Sequence, residues 1–184
     1  MRVIQIIRDP RDNYAAIKTG VAKYYADMGE GDKESLASVI NRARMDLLVA
    51  KQLISATAPW FTTVRFEDLV SSPGKEMRRL AEFCGIQFDS VLEHPTLLGE
   101  PYGGNSHEGK HLSGISNANV GRWTERISEF EVGVIEFWMS DVMKTWGYPI
   151  TIESKEAVDA FSEFYNWYNC RYFYYDSFGK LNRG

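Results

Sequence analysis

Val3-Ile4-Gln5-Ile6-Ile7-Arg8-Asp9-Pro10-Arg11-Asp12-Asn13 joins an apolar run to a charged turn and then to a helix-forming segment. The nearly continuous apolar run from Val3 to Ile7 has the pattern of a parallel strand covered on both faces. Arg8 stands at the carboxyl end of that strand. Asp9-Pro10 predicts an Asx-type turn, and Asp12 predicts the N-cap of a helix beginning near Asn13, whose free N–H groups then point towards Arg8. Ligands of open α/β sheets gather beyond the carboxyl ends of the strands, and a helix N-terminus beside a guanidinium suits a phosphate. A second reading of the same residues stays open, in which Arg8 is a structural cation paired with Asp9 or Asp12.

The rest of the chain reads outward from this unit. With 184 residues and 44% apolar content it has enough sequence for a core of its own. Its formal net charge of -4 and pI near 5.5 provide no global basic field, so nucleic acid is not expected as a partner and an anion has to be held locally. Cys84 and Cys170 are far apart and lack metal-ligand spacing; core thiols are expected, and no metal site. No stretch has the length of a membrane span and no signal-peptide layout is seen, so cytoplasmic residence is the default expectation.

Asn13 to about Asp27 reads as a helix ending at the polar break Gly29 to Asp32. Leu36, Val39, Ile40, Ala43, Leu47, Ala50 and Ile54 recur at helical intervals, predicting one long amphipathic helix from Lys33 to Thr57 that stops before Pro59. Trp60 to Phe66 is β-branched and aromatic, hence a second strand. Ser72 and Pro73 open a helix that Gly85 closes, with Met77, Leu80, Ala81 and Cys84 as its buried stripe. Strand, helix, helix, strand, helix is the order of an α/β domain. Phe88 to Gly99 is a short mixed piece, and Glu100 to Asn119 reads as a long loop rich in Gly, Asn, Ser and His, capable of presenting backbone N–H groups to an anion. Ser128-Glu129-Phe130-Glu131 is a capping box for a helix running to about Trp146, with Val134, Ile135, Trp138, Met139, Val142 and Met143 buried. From Lys155 to Tyr175 the aromatics Phe161, Phe164, Tyr165, Tyr168, Tyr172 and Tyr175 fall at helical spacing, predicting a final helix packed on the domain. The layout expected is a domain over residues 1–150 with that aromatic helix in residues 151–184.

Three segments resemble the sulfotransferases that use 3′-phosphoadenosine 5′-phosphosulfate (PAPS). Ile6-Ile7-Arg8-Asp9-Pro10-Arg11-Asp12 resembles the family's strand-turn segment, which implies that Arg8 binds the 3′-phosphate; where the family carries a phosphate-binding Ser this chain has Ala16. Arg65-Phe66-Glu67-Asp68-Leu69 resembles the segment in which a Tyr contributes to cofactor binding, and Phe66 keeps the ring without the phenol. Val120-Gly121-Arg122-Trp123 resembles the end of the loop that folds over the nucleotide. That likeness implies phosphate contacts from Ser116, Asn117 and Ala118, here without the charged residues of cytosolic members, and makes Trp123 a packing anchor.

The resemblance covers about Arg2 to Tyr148. It implies a P-loop NTPase-like, doubly wound parallel sheet, incomplete at the N-terminus, with a helix-rich C-terminal part. PAPS is the implied co-substrate, and a small-molecule, carbohydrate or other hydroxyl or amine acceptor takes its sulfuryl group. The family's Gly-rich phosphosulfate loop and its general base precede the Arg8 segment, so no catalytic residue is assigned in this chain; His94, His107 and His111 come too late in order to match that base. The chain therefore reads as the C-terminal part of a sulfotransferase, with an exposed sheet edge that favours oligomers or aggregation. Two alternatives are a non-catalytic nucleotide-binding or interaction remnant and, third, a kinase-like phosphotransferase of related architecture, which would need an acidic metal ligand beside its phosphate loop.

Overall fold

The computed structural model describes residues 1–21, 32–102 and 114–172, the side chains of Val21 and of 169–172 excepted. Strand β1 (Val3–Ile7) leads into helix α1 (Pro10–Ala16), which widens into a π-helical turn at Ile17–Val21 where the Thr19 hydroxyl donates back to the Ala15 carbonyl at 2.9 Å. Helix α2 (Asp32–Ser55) returns the chain to strand β2 (Phe61–Arg65), followed by the short helix α3 (Phe66–Ser71) and then α4 (Pro73–Cys84). A 3-10 turn at Ser90–Glu93 precedes a ribbon of β3 (Thr96–Leu97) and β4 (Glu100–Pro101); after it come α5 (Trp123–Arg126), α6 (Glu129–Thr145) and α7 (Ser154–Tyr172).

The two strands predicted from their apolar and β-branched runs are neighbours and parallel, in register from Val3 opposite Phe61 to Ile7 opposite Arg65. Their connection passes through helices, as a parallel pair requires. Helix α2 packs on β2 and against α6. Among the described residues the parallel sheet has these two strands, so they do not complete a doubly wound sheet. On β1 the side chains alternate instead of being covered on both faces, with Ile7 buried while Ile4 and Ile6 are 38% and 60% exposed.

The core lies where α6 meets α1, α2 and α7. Val134, Ile135, Met139, Val142 and Met143 on α6 are fully buried, and Leu36, Val39, Ile40, Leu47 and Ala50 supply the facing stripe of α2. Ile54 and Trp138, both expected inside, are exposed. Trp138 instead stacks at the surface on Phe161 of α7, with ring centroids 5.3 Å apart. Helix α7 comes so close that a Cβ on Gly133 would stand 2.9 Å from the Cβ of Ala160, which explains a glycine in the middle of α6. Cys84 is a free, half-buried thiol, less enclosed than expected.

Three local readings are corrected. Helix α1 begins at Pro10, not near Asn13, because Asp9 is the N-cap, accepting from the Arg11 N–H at 2.9 Å with Pro10 at the first helical position. Asp12 thereby lies in the first turn of the helix, buried and free for another task. Ser72 precedes Pro73 but makes no side-chain cap. The mixed piece before Glu100 and the first residues of the expected loop form a hairpin, since Leu98 and Gly99 both adopt positive φ, 54° and 87°, as a two-residue primed turn demands. The break at Gly29, the segment Gly103 to His107, His111 and Tyr175 lie outside the described residues.

Charges are buried in the centre as well. Arg11, 1% exposed, makes a fork to Asp9 (Nε–Oδ1 3.0 Å, Nη2–Oδ2 2.6 Å) and donates through Nη1 to Glu136 of α6 at 2.6 Å. Its guanidinium also lies over the Trp123 ring, 4.2 Å from the centroid. Burial by itself would lower the Arg11 pKa, but Asp9 and Glu136 outweigh it and hold the cation firmly charged. Glu136 further accepts from the Thr151 and Ile152 N–H groups at 2.8 and 2.9 Å, so it fixes the chain after α6. The predicted capping box at Ser128 and Glu131 is present. Glu131 in addition accepts from Lys18 at 2.8 Å and from the Tyr14 hydroxyl at 2.6 Å.

Removing one member of a buried pair leaves the other uncompensated, at about 3–5 kcal/mol. Glu136→Ala is therefore expected to lower the urea midpoint by that equivalent, whereas Arg44→Ala, which breaks the surface pair with Asp141, should cost about 1 kcal/mol or less. A shared small effect in both variants would contradict the hub. Glu131 gives a second expectation. Burial would raise its carboxyl, yet Lys18, Tyr14 and Ser128 together hold it below its ordinary value of 4.5. Its contribution is thus fully present above that value and lost as pH falls through the lower folded one. Denaturation of Glu131→Gln at a series of pH values should show a protein weaker at neutrality, with a shallower loss of stability between about pH 5 and pH 3 than the parent.

Candidate functional site

The turn after β1 meets the junction of β2 and α3 because the strands are paired to their last residues, Ile7 opposite Arg65. Arg8 and Phe66 are the next residue on each side. The Arg8 guanidinium lies over the Phe66 ring, 4.8 Å from its centroid, and Nη2 donates to the Asn119 carbonyl at 3.1 Å. Its Nε is buried and has no acceptor among the described residues. Arg8 as a whole is half-buried.

Asp9 and Asp12 do not neutralise it. Asp9 is bound by Arg11, and the Asp12 carboxylate accepts the backbone N–H groups of Gly121 at 2.6 Å and Trp123 at 2.9 Å. The structural reading that paired Arg8 with one of these acids is thus answered by their other partners. Asp12, expected as a cap, acts instead as a clip that holds the start of α5 against α1. Gly121 takes φ 75° to turn the chain there, a conformation that glycine adopts without strain. Trp123 receives Arg11 on its face, in keeping with a packing role.

The predicted loop residues sit just before that clip. Ser116 accepts the Ala118 N–H at 3.2 Å and the Asn117 carbonyl accepts the Val120 N–H at 2.9 Å, so the segment is a pair of small turns. Its contact with Arg8 runs through the Asn119 carbonyl, and among the described residues no hydrogen bond joins Arg8 to Ser116, Asn117 or Ala118. Ala16 closes α1 and is half-buried. His94 is an exposed residue after the 3-10 turn, away from any assigned role; His107 and His111 lie outside the described residues.

Two residues of the site were not visible as such in the sequence. Glu67 accepts the Asp9 N–H on Oε1 at 2.9 Å and the Tyr148 hydroxyl on Oε2 at 3.0 Å, linking the two strand ends to the chain after α6. Arg65 approaches Glu67 and Asp68 only at 3.9 Å and lies over the Tyr148 ring, 4.6 Å from the centroid. No spacing rule announces a carboxylate whose partners are a backbone amide and a tyrosine far along the chain. The site is accordingly a local cation on an aromatic face with the Asn119 carbonyl on one of its N–H groups, and such a guanidinium suits an anionic group. Among the described residues no cluster of His, Cys, Asp and Glu is placed to hold a metal ion, and no helix is long and apolar enough to cross a membrane.

This geometry can be set beside known proteins. Residues 1–90 match a family described as the sulfotransferase family. Among solved structures the chain is similar to one titled "Sulfotransferase Domain from the Curacin Biosynthetic Pathway", with a TM-score of 0.57 and 16% identity over 82% of this chain. At that identity the likeness concerns the fold, and the chain spans 54% of that protein's length. None of the curated proteins matches the sequence. The matched residues contain β1, the Arg8 turn, the long α2 helix and the β2–α3–α4 unit, and it is over these that the chain is similar to the sulfotransferase family.

Proposed function

We propose that this chain forms the nucleotide's 3′ side of a PAPS-dependent sulfotransferase, with Arg8 holding the 3′-phosphate. The observation that carries the reading is the state of Arg8 itself, stacked on Phe66 with one N–H given to Asn119 and a buried Nε lacking any acceptor among the described residues. A buried donor without an acceptor costs about 1–3 kcal/mol, and a guanidinium in that condition is suited to an anionic oxygen. The residues fit a phosphate ester in the rest of their chemistry too. Phe66 orients the guanidinium by its face, and Ser116, Asn117 and Ala118, just before Asn119, would add hydroxyl, amide and backbone groups.

When bound, PAPS supplies the sulfuryl group that an acceptor hydroxyl or amine takes up. The work assigned to this chain is to bind and orient: Arg8 neutralises phosphate charge, Asp12 keeps the Gly121–Trp123 backbone in place, and the Arg11 pair holds the turn that carries Arg8. A doubly wound, P-loop-like sheet, of which β1 and β2 are two strands, belongs to the same proposal, as does an acceptor that is a small molecule or carbohydrate.

Calorimetric titration with adenosine 3′,5′-bisphosphate at fixed salt tests the site. Arg8→Ala should weaken binding by about 1.5–3 kcal/mol, the range for hydrogen bonds to charged groups. Arg8→Lys should recover part of that, because a point charge does not reproduce a guanidinium fork. Equal affinity in the three proteins would make Arg8 a structural residue, and an absence of binding in the parent would refute the assignment.

A further inference from the structure

We infer that Glu67 and Tyr148 are positioning residues for Arg8, fixing the peptide from which its side chain projects. The inference rests on the reading of Arg8 as the anion-binding residue and concerns how it is aimed.

The Asp9 N–H belongs to the planar peptide group that starts at the Arg8 Cα, so holding that N–H fixes the plane and with it the direction of Arg8. Glu67 holds it, through Oε1 at 2.9 Å. The residue before Glu67 is Phe66, whose ring lies under the same guanidinium. One dipeptide thus grips Arg8 twice, by its backbone and by its face.

A carboxylate can do this only if its own orientation is set. The Tyr148 hydroxyl donates to Oε2 at 3.0 Å, and Tyr148 is 3% exposed, directly after Gly147, whose φ of 74° ends α6. Its backbone N–H is tied to the Met143 carbonyl at 2.9 Å, so the ring is anchored to the buried stripe of α6. Burial and the nearby Glu67 charge push the phenol pKa well up, and the hydroxyl remains a donor throughout the physiological range. The Arg65 guanidinium, 3.9 Å from Glu67, offsets the carboxylate's charge at longer range. Core order in α6 therefore reaches Arg8 through the sequence Tyr148, Glu67, Asp9 N–H.

A double-mutant cycle separates positioning from general stabilisation. Tyr148→Phe and Glu67→Gln are each combined with Arg8→Ala, and affinity for adenosine 3′,5′-bisphosphate is titrated at a temperature where melting curves show every variant folded. Each single change should weaken binding about two- to tenfold with Arg8 present, the scale of one hydrogen bond, and leave affinity unchanged once Arg8 is Ala. The same fold-loss in both backgrounds, or no loss beside an effective Arg8→Ala, would overturn the inference. A ligand-free arm keeps the two ideas apart. In heteronuclear NMR spectra the Arg8 Nε–H and Asp9 amide resonances should both move in Tyr148→Phe. If they move while the parent binds no bisphosphate, the phosphate assignment fails and the positioning link stands; if they stay in place, the link fails whatever the affinity.

Discussion

The Arg11 guanidinium has to be neutralised where it lies, and the way this is done holds the molecule together. It is enclosed by Asp9 from its own turn, Glu136 from the central helix and Trp123 from the start of α5. Each partner then performs a second task. Asp9 caps α1, Glu136 fixes the Thr151–Ile152 backbone, and Trp123 is tied by its N–H to Asp12. Without this neutralisation the turn beyond β1 would place two acids and two arginines in a half-dry corner with no fixed pairing.

That arrangement also decides which of Arg8 and Arg11 keeps an unfilled donor. Asp9 and Asp12 were the natural partners of Arg8 on sequence distance alone. Arg11 takes the first because helix α1 starts at Pro10 and turns its side chain back over the cap, and the Gly121 and Trp123 amides take the second. Arg8 is left with a carbonyl, a ring and an unfilled donor. A structural cation and a cation held in reserve are thus three residues apart, distinguished by the geometry of one helix start.

The elements with strong local signals could be read from the chain. Periodicity in Leu36 to Ala50, the β-branched run at Phe61, the pairing of Pro73 with Gly85, and the Ser128 capping box all correspond to observed elements, because in each the physics is contained within a few neighbouring residues. Arg8 and Phe66 could be named as candidates from their motifs. What escaped the reading depends on partners distant in sequence. Glu136 was not among the residues read as buried on α6, yet it faces Arg11; Trp138 looked like core, though α7 leaves it at the surface. Asp12 was mistaken for a cap because Asp9, one residue before the proline, was the better one. The Leu98–Gly99 turn was hidden by a leucine in a conformation that residue seldom adopts. Asn119 entered the site through its carbonyl, an atom that every residue possesses and no motif can mark.

The Arg11 hub has a bearing on how such a chain can change over generations. Asp9, Arg11, Glu136 and Trp123 are not independent letters: a replacement at any one leaves a charge or a bare ring for the other three to absorb. Relatives that lack the arginine should therefore also have lost an acid, and hybrids assembled by exchanging the α6 segment between divergent relatives should fail at this corner although each parent is sound. Drift in the hub is confined to concerted steps, while the residues around the neighbouring Arg8, whose partners are a backbone carbonyl and a ring, are left freer to vary.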